Sequence, residues 1–139
     1  MAGYSETPLA KKLGIKEGFR LGLVNAPKGF KKKLGSLPAG VKISVGQLPN
    51  SLDLIILFTD TSRTLKLQFP MLAERLNPNG MLWVAWPKKS SGVSTDLSFN
   101  IVQHTGLAAG LVDAKICAVD DTWSGLKFVY RLKDRKSRL

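Results

Sequence analysis

Apolar positions along the chain follow two different periods, and their alternation predicts strands interleaved with helices. Phe19 to Val24 is β-prone and runs into Asn25-Ala26-Pro27-Lys28-Gly29, a turn by composition. Val41, Ile43 and Val45 alternate with polar or small residues, as in a half-buried strand. Leu52 to Phe58 and Met81 to Trp86 are nearly continuous apolar runs, the pattern of strands covered on both faces. Val112 to Val119 and Leu126 to Leu132 read as two further strands. In the second, Leu126, Phe128, Tyr130 and Leu132 alternate with Lys127, Val129 and Arg131. The loop from Asp120 to Gly125 between them is too short for a crossover helix, so they should pair antiparallel.

The helical segments lie between these runs. Thr7 and Pro8 suit an N-cap and first turn, Leu9 and Leu13 share one face, and Gly14 supplies the stop. Phe30 and Leu34 pair at i,i+4 in a short helix ended by Gly35. Asp60, Thr61 or Ser62 is expected to cap a helix with the stripe Leu65, Phe69, Leu72 and Leu76, kinked or split at Pro70. Asn77-Pro78-Asn79-Gly80 then reads as a turn. After a loop from Pro87 to Thr95, Thr95 or Asp96 should cap a helix carrying Leu97, Ile101 and Ala108. Gly106 weakens its last turn and Gly110 ends it. The sum is an α/β fold with helices on a mostly parallel sheet and an antiparallel C-terminal strand.

At 139 residues the chain suits one domain, expected over 1–132, with a basic, disordered tail at 133–139. No apolar run approaches the ~18 residues of a membrane span, and the N-terminus lacks the apolar core of a signal peptide. The single cysteine, Cys117, excludes an internal disulfide framework and fits a reducing, cytoplasmic setting. Net charge is +11, and it is uneven. Residues 1–40 hold eight Lys/Arg against Glu6 and Glu17, residues 41–126 balance seven against seven, and residues 127–139 hold six against Asp134. Such clusters attract polyanions, but they equally describe a solvated face and a polar tail. Only Phe30 and Tyr130 interleave with the bases, at positions a core would use. Nucleic-acid association is therefore expected to be weak and indifferent to sequence.

The stretch from D-L-I-I-L-F through M-L-A-E-R-L-N-P-N-G-M-L-W-V-A-W resembles the second half of a class I S-adenosylmethionine-dependent methyltransferase, where a strand, a helix, an L-x-P-x-G turn and a strand recur. The opening G-Y-S-E-T-P-L-A-K-K-L-G, the W-P-K-K-S-S-G loop and A-V-D-D-T-W-S-G-L-K resemble an uncharacterised family of small bacterial proteins. The resemblance implies a truncated, Rossmann-like methyltransferase topology. It also exposes departures. The glycine-rich first turn of that fold is replaced by Asn25 to Gly29, with Pro27 lacking an N–H. Gly46 and Gln47 stand where a ribose-binding acid is wanted, and residues 36–51 are too few for a helix and two strands.

Open α/β sheets bind ligands beyond the carboxyl ends of their strands. Three loops meet that description, and they bring Asn25 and Lys28, then Lys88, Lys89 and Ser90, then Asp120, Asp121 and Trp123 toward one crevice. The two lysines, with Ser90, Ser91, Gly92, Ser94 and Thr95 leading to a helix N-terminus, suggest an anion cradle, with Lys28 as a second wall. The alternative is ordinary capping beneath solvated lysines. Asp120 and Asp121 suit turn hydrogen bonds better than catalysis or metal binding. His104 has no cysteine nearby, Cys117 and Trp83 read as core, and Trp123 is the better ligand contact. The expectation is a non-catalytic binding or regulatory module for a small anion or partner protein, without cofactor or metal and away from membranes. A residual S-adenosylmethionine-dependent methyltransferase and a basic nucleic-acid binder stand as alternatives.

Overall fold

Six strands form one mixed sheet in the order β2-β1-β3-β4-β6-β5, in a computed structural model that describes residues 7–135. The strands are β1 (Arg20–Val24), β2 (Lys42–Val45), β3 (Leu52–Phe58), β4 (Leu76–Pro87), β5 (Leu111–Ala118) and β6 (Trp123–Tyr130). The first four run parallel, β6 runs antiparallel to β4, and β5 antiparallel to β6. The sheet is thus mostly parallel with an antiparallel last strand. The helices are α1 (Leu9–Leu13), α2 (Phe30–Leu34), α3 (Ser62–Ala73), α4 (Phe99–Ala108) and α5 (Leu132–Arg135).

The continuous apolar runs follow from double coverage. In β3, Ile55 and Leu57 join a cluster under α3 and α4 with Leu65, Phe69 and Val102. Leu54, Ile56 and Phe58 join a second cluster under α1 and α2 with Leu13, Phe30 and Leu34. β4 divides likewise, Leu82 and Val84 to the first and Trp83 and Ala85 to the second. Each fully buried side chain of this size contributes about 1.5–3 kcal/mol. Buried Trp83 also donates its indole N–H to the Leu13 carbonyl at 2.9 Å, fixing α1 to the sheet. Gly14 ends α1 at φ 87°, a left-handed stop that only glycine adopts without strain.

Several boundaries differ from the sequence expectation, each for a local reason. Pro8, not Thr7, is the N-cap of α1. Pro70 does not split α3, because it lies exposed in the last turn and removes a single hydrogen bond. Asn77 to Gly80 is no hairpin-like turn but a bulge inside β4. Two steps along β3, Leu52 to Leu54, match Leu76 to Met81 on its partner. The Asn77 amide donates to the Asp53 carboxylate at 2.7 Å and holds the bulge in place. Helix α4 starts at Phe99 with Ser98 as its cap, rather than at Thr95 or Asp96. Gly106 is buried in α4, and only glycine fits there, because any Cβ would collide with the Phe128 ring. Residues 133–135 belong to α5, so the expected disordered tail is in part helical; residues 136–139 and the first six lie outside the described residues. Among the described residues, no helix is long and apolar enough to cross a membrane.

Candidate functional site

β1, β3, β4 and β5 all point the same way, so the chain leaving each of them emerges at one edge of the sheet. The loops bearing Lys88 and Trp123 are joined directly there. The Lys88 N–H donates to the Thr122 carbonyl at 2.8 Å, and Pro87 pairs with Trp123 in the ladder. The three loops singled out from the sequence therefore share an edge. The strand order reverses between β1 and β3, which puts the natural crevice beyond Val24 and Phe58.

At that crevice Asn25 adopts φ 58°, a left-handed conformation asparagine tolerates better than most residues, and its amide donates to Gln68 Oε1 at 3.0 Å. Asn25, Phe58, Thr59, Asp60, Thr64 and Trp123 line a cleft of about 260 Å³. A second cleft of about 280 Å³ lies across the Asn25–Gly29 turn, with Leu23, Pro27, Phe30, Lys31 and Val45 in its walls. Trp123 is not in a loop, as the sequence suggested; it is the first residue of β6. Its ring meets Phe58 edge-on at 5.1 Å, and Phe58 meets Phe30 at 4.7 Å, a chain of aromatic contacts across the crevice floor.

Asp120 is held by its own turn. Its carboxylate accepts the N–H groups of Thr122 at 2.8 Å and Trp123 at 2.9 Å, and the Lys33 ammonium at 2.8 Å. Burial pushes this carboxyl up, but Lys33 and the two N–H donors outweigh it and leave the pKa below the ordinary aspartate value. Asp121 is exposed and shares none of these bonds. The pair is thus divided between a turn and solvent. Among the described residues, no three His, Cys, Asp or Glu side chains gather closely enough to hold a metal ion.

The lysine loop departs most from its expectation. Lys89, Ser90 and Ser91 form a 3₁₀ turn whose Ser91 hydroxyl bonds the Lys88 carbonyl at 2.6 Å. The chain then straps across to α3. Thr95 donates to the Asp60 carbonyl at 2.6 Å, and Asp96 accepts both the N–H and the hydroxyl of Ser62. Asp96 therefore satisfies the N-terminus of α3, not α4, and those two bonds hold its carboxyl below the usual range. Helix α4 starts only at Phe99, so Lys88 and Lys89 do not lead directly into its first turn as the sequence suggested. Lys88, Lys89 and Ser90 share the edge without lining the Asn25–Trp123 cleft, and Lys28 is exposed beside it. Cys117 is half-buried, and burial pushes its thiol up despite the lysines around it, as suits a packing residue.

Sequence reasoning missed Thr59, Asp60 and Thr64 at the cleft, Gln68 as the partner of Asn25, and Lys33 as the partner of Asp120. The rule about carboxyl ends, applied to Leu52–Phe58 as well, finds the first two. No sequence signal separates Lys33 from Lys31 and Lys32.

A scan against protein-family models finds no match to this chain, and a search of curated protein sequences finds none either. Solved structures do match. A SAM-dependent methyltransferase from Aquifex aeolicus superposes with a TM-score of 0.62 at 17% identity, over 86% of each chain. Precorrin-6y C5,15-methyltransferase from Geobacter metallireducens gives 0.65 at 8% identity, over 88% of this chain and 86% of the other. Fibrillarin from Aeropyrum pernix, solved with natively bound S-adenosyl-L-methionine, gives 0.58 at 14% identity, over 91% and 70%. The chain has the Rossmann-like fold of class I S-adenosylmethionine-dependent methyltransferases, in a short form with a single strand, β2, between α2 and β3.

Proposed function

We propose that this chain is a non-catalytic binding module that retains the methyltransferase fold and takes a small anionic ligand at the strand-end edge. The observation that carries the reading is the bridged crevice. Lys33 to Asp120, and Phe30 to Phe58 to Trp123, tie α2, β3 and the start of β6 together across it. What is left at this edge is three small clefts of about 260, 280 and 320 Å³, the last beside Val24, Gly46 and Gln47, at the bottom of the ~300–1,000 Å³ range of pockets that enclose drug-sized ligands. The residues present do not fit S-adenosylmethionine. Pro27 removes an N–H from the first turn, and β2 ends in exposed Val45, Gly46 and Gln47 with no carboxylate for ribose hydroxyls. Exposed Lys28 and Lys31 on the rim favour a phosphate or carboxylate group.

A second reading, a residual methyltransferase, is supported by the likeness to such enzymes over most of the chain. Titration calorimetry with S-adenosylmethionine separates the two. The expected result is no saturable heat at a ligand concentration of about 1 mM; a micromolar Kd overturns the binding-module reading. In parallel, a thermal-shift series over nucleoside monophosphates and dicarboxylates should find a ligand that raises Tm by roughly 5 °C near saturation. Lys28→Ala with Lys31→Ala should abolish that rise.

A further inference from the structure

The two faces of the sheet carry very different charge. On the side of α1 and α2, Lys11 and Lys16 stand exposed on or just after α1, and Lys31 and Lys32 stand exposed on α2. The sheet adds to them. Lys127 pairs with Trp83, whose ring belongs to the α1/α2 cluster, and Lys115 pairs with Lys127, so both lysines rise on that same side. The Lys115 ammonium reaches the Lys12 carbonyl at 3.2 Å, and Lys12 reaches the Ala118 carbonyl at 3.0 Å, so the lysine field continues from α1 onto edge strand β5. Lys33 is set apart by its bond to Asp120. On the side of α3 and α4, Arg63, Lys66 and Arg75, with Arg20 and Lys42 on the alternate pleat of β1 and β2, are largely offset by Glu74, Asp96 and Asp113.

We propose that the α1/α2 face is a docking surface for the phosphate backbone of a double-stranded nucleic acid. Charge complementarity selects a polyanion, because several lysines on one face each release counterions from a phosphate chain. Chemistry around the lysines selects a duplex over a single strand. Single strands are held by aromatic platforms, and the aromatics directly beneath the lysines of α1 and α2 are withdrawn: Phe30 is 2% exposed and Trp83 1%. An anionic membrane would want an apolar wedge beside the charges. The exposed apolar residues of the helices, Leu67, Met71, Phe99, Leu107 and Leu132, lie on α3, α4 and α5 instead. This face adjoins the second cleft through Lys31, but Lys11 and Lys32, the residues changed in the test, line none of the strand-end clefts.

The test is fluorescence anisotropy of the full chain on 20-base-pair DNA and RNA duplexes across 50–200 mM salt. Two variants with equal change in net charge are compared, Lys11→Glu/Lys32→Glu on the proposed face and Arg63→Glu/Lys66→Glu on the other. All four side chains are exposed, and unchanged melting curves report that both variants fold. The expected result is a log–log salt slope near −5, and for Lys11→Glu/Lys32→Glu a roughly tenfold or greater loss of affinity at low salt with the slope reduced by about 2. Arg63→Glu/Lys66→Glu should change affinity by less than about twofold. Equal losses in the two variants, no binding at 50 mM salt, tighter binding to a 20-nucleotide single strand, or capture by anionic vesicles in place of the duplex would each overturn the proposal.

Discussion

The two sides of the sheet are built in different ways. On one side α3 and α4 are long enough to present several turns, each begins with a side-chain cap, and they contact each other. Thr61 accepts from the Thr64 N–H and Ser98 from the Ile101 N–H. On the other side α1 and α2 are five-residue helices without side-chain caps, too short to persist without the sheet. They are pinned by a few anchors, chiefly Leu13, Phe30 and Leu34, under a crust of lysines. Stability is thus concentrated under α3 and α4, while the ion pair, the aromatic chain and the charge field lie under α1 and α2.

The sharpest way to break this comparison is a pair of truncations. Phe69 is fully buried and meets Phe128 edge-on at 5.1 Å, so Phe69→Ala should cost about 4 kcal/mol of unfolding free energy in urea. Phe30→Ala should cost nearer 3 kcal/mol, and its amide exchange should rise in residues 30–34 while β3 and β4 stay protected. If exchange in α4 rises equally, the two sides are one cooperative unit and the contrast fails.

A smaller effect tests the close approach on the stable side. Alanine usually stabilises a helix by about 1 kcal/mol over glycine. At Gly106 the sign should reverse, because three atoms of the Phe128 ring lie within 3 Å of any Cβ. Gly106→Ala is expected to destabilise by about 1–3 kcal/mol in the same urea titration.

The smallest effect belongs to the lysine side. The Asp120 pKa is lowered in the folded protein, so its contribution is present above the unfolded value near 3.8 and is lost as pH falls through the lower folded value. Asp120→Asn keeps an acceptor for the turn but removes the charge opposite Lys33, whose side chain is 58% exposed. It should cost no more than about 1 kcal/mol at pH 7. The difference from wild type should shrink as pH falls below 3.8 and vanish once Asp120 is protonated in the folded protein too; a difference that persists at that end of the titration assigns the effect to the turn.

Most of the fold was legible because the apolar periods are strong. Double coverage of β3 and β4, the antiparallel last pair and the stops at Gly14 and Gly35 are all local signals. The errors arose where a residue's partner is far along the chain. Asp96 looks like the cap of the helix that follows it, yet it serves Ser62, 34 residues back. Asn77 to Gly80 has turn composition, yet Asp53 and the β3 ladder draw it into a strand. Of the candidate site, the sequence located the shared edge but not its inner geometry. Asn25 and Trp123 meet in one cleft, whereas Lys88, Lys89 and Ser90 stay outside it, and only the strap from Gly92 to Ser98 decides that.

The position of β6 bears on how the chain is made. It is the last strand of the described residues in sequence, yet it fills an interior slot between β4 and β5. A nascent chain synthesised only as far as residue 122 therefore has the whole flank of β4 unpaired, with Trp83, Val84 and Trp86 along it. At roughly 5–20 residues per second, β6 takes about a second to arrive. Stalled or prematurely terminated products keep that flank open, and an apolar open flank of this length is a template for pairing with other chains. Quality control of this protein should accordingly discriminate sharply between chains that end before residue 123 and those that reach Tyr130.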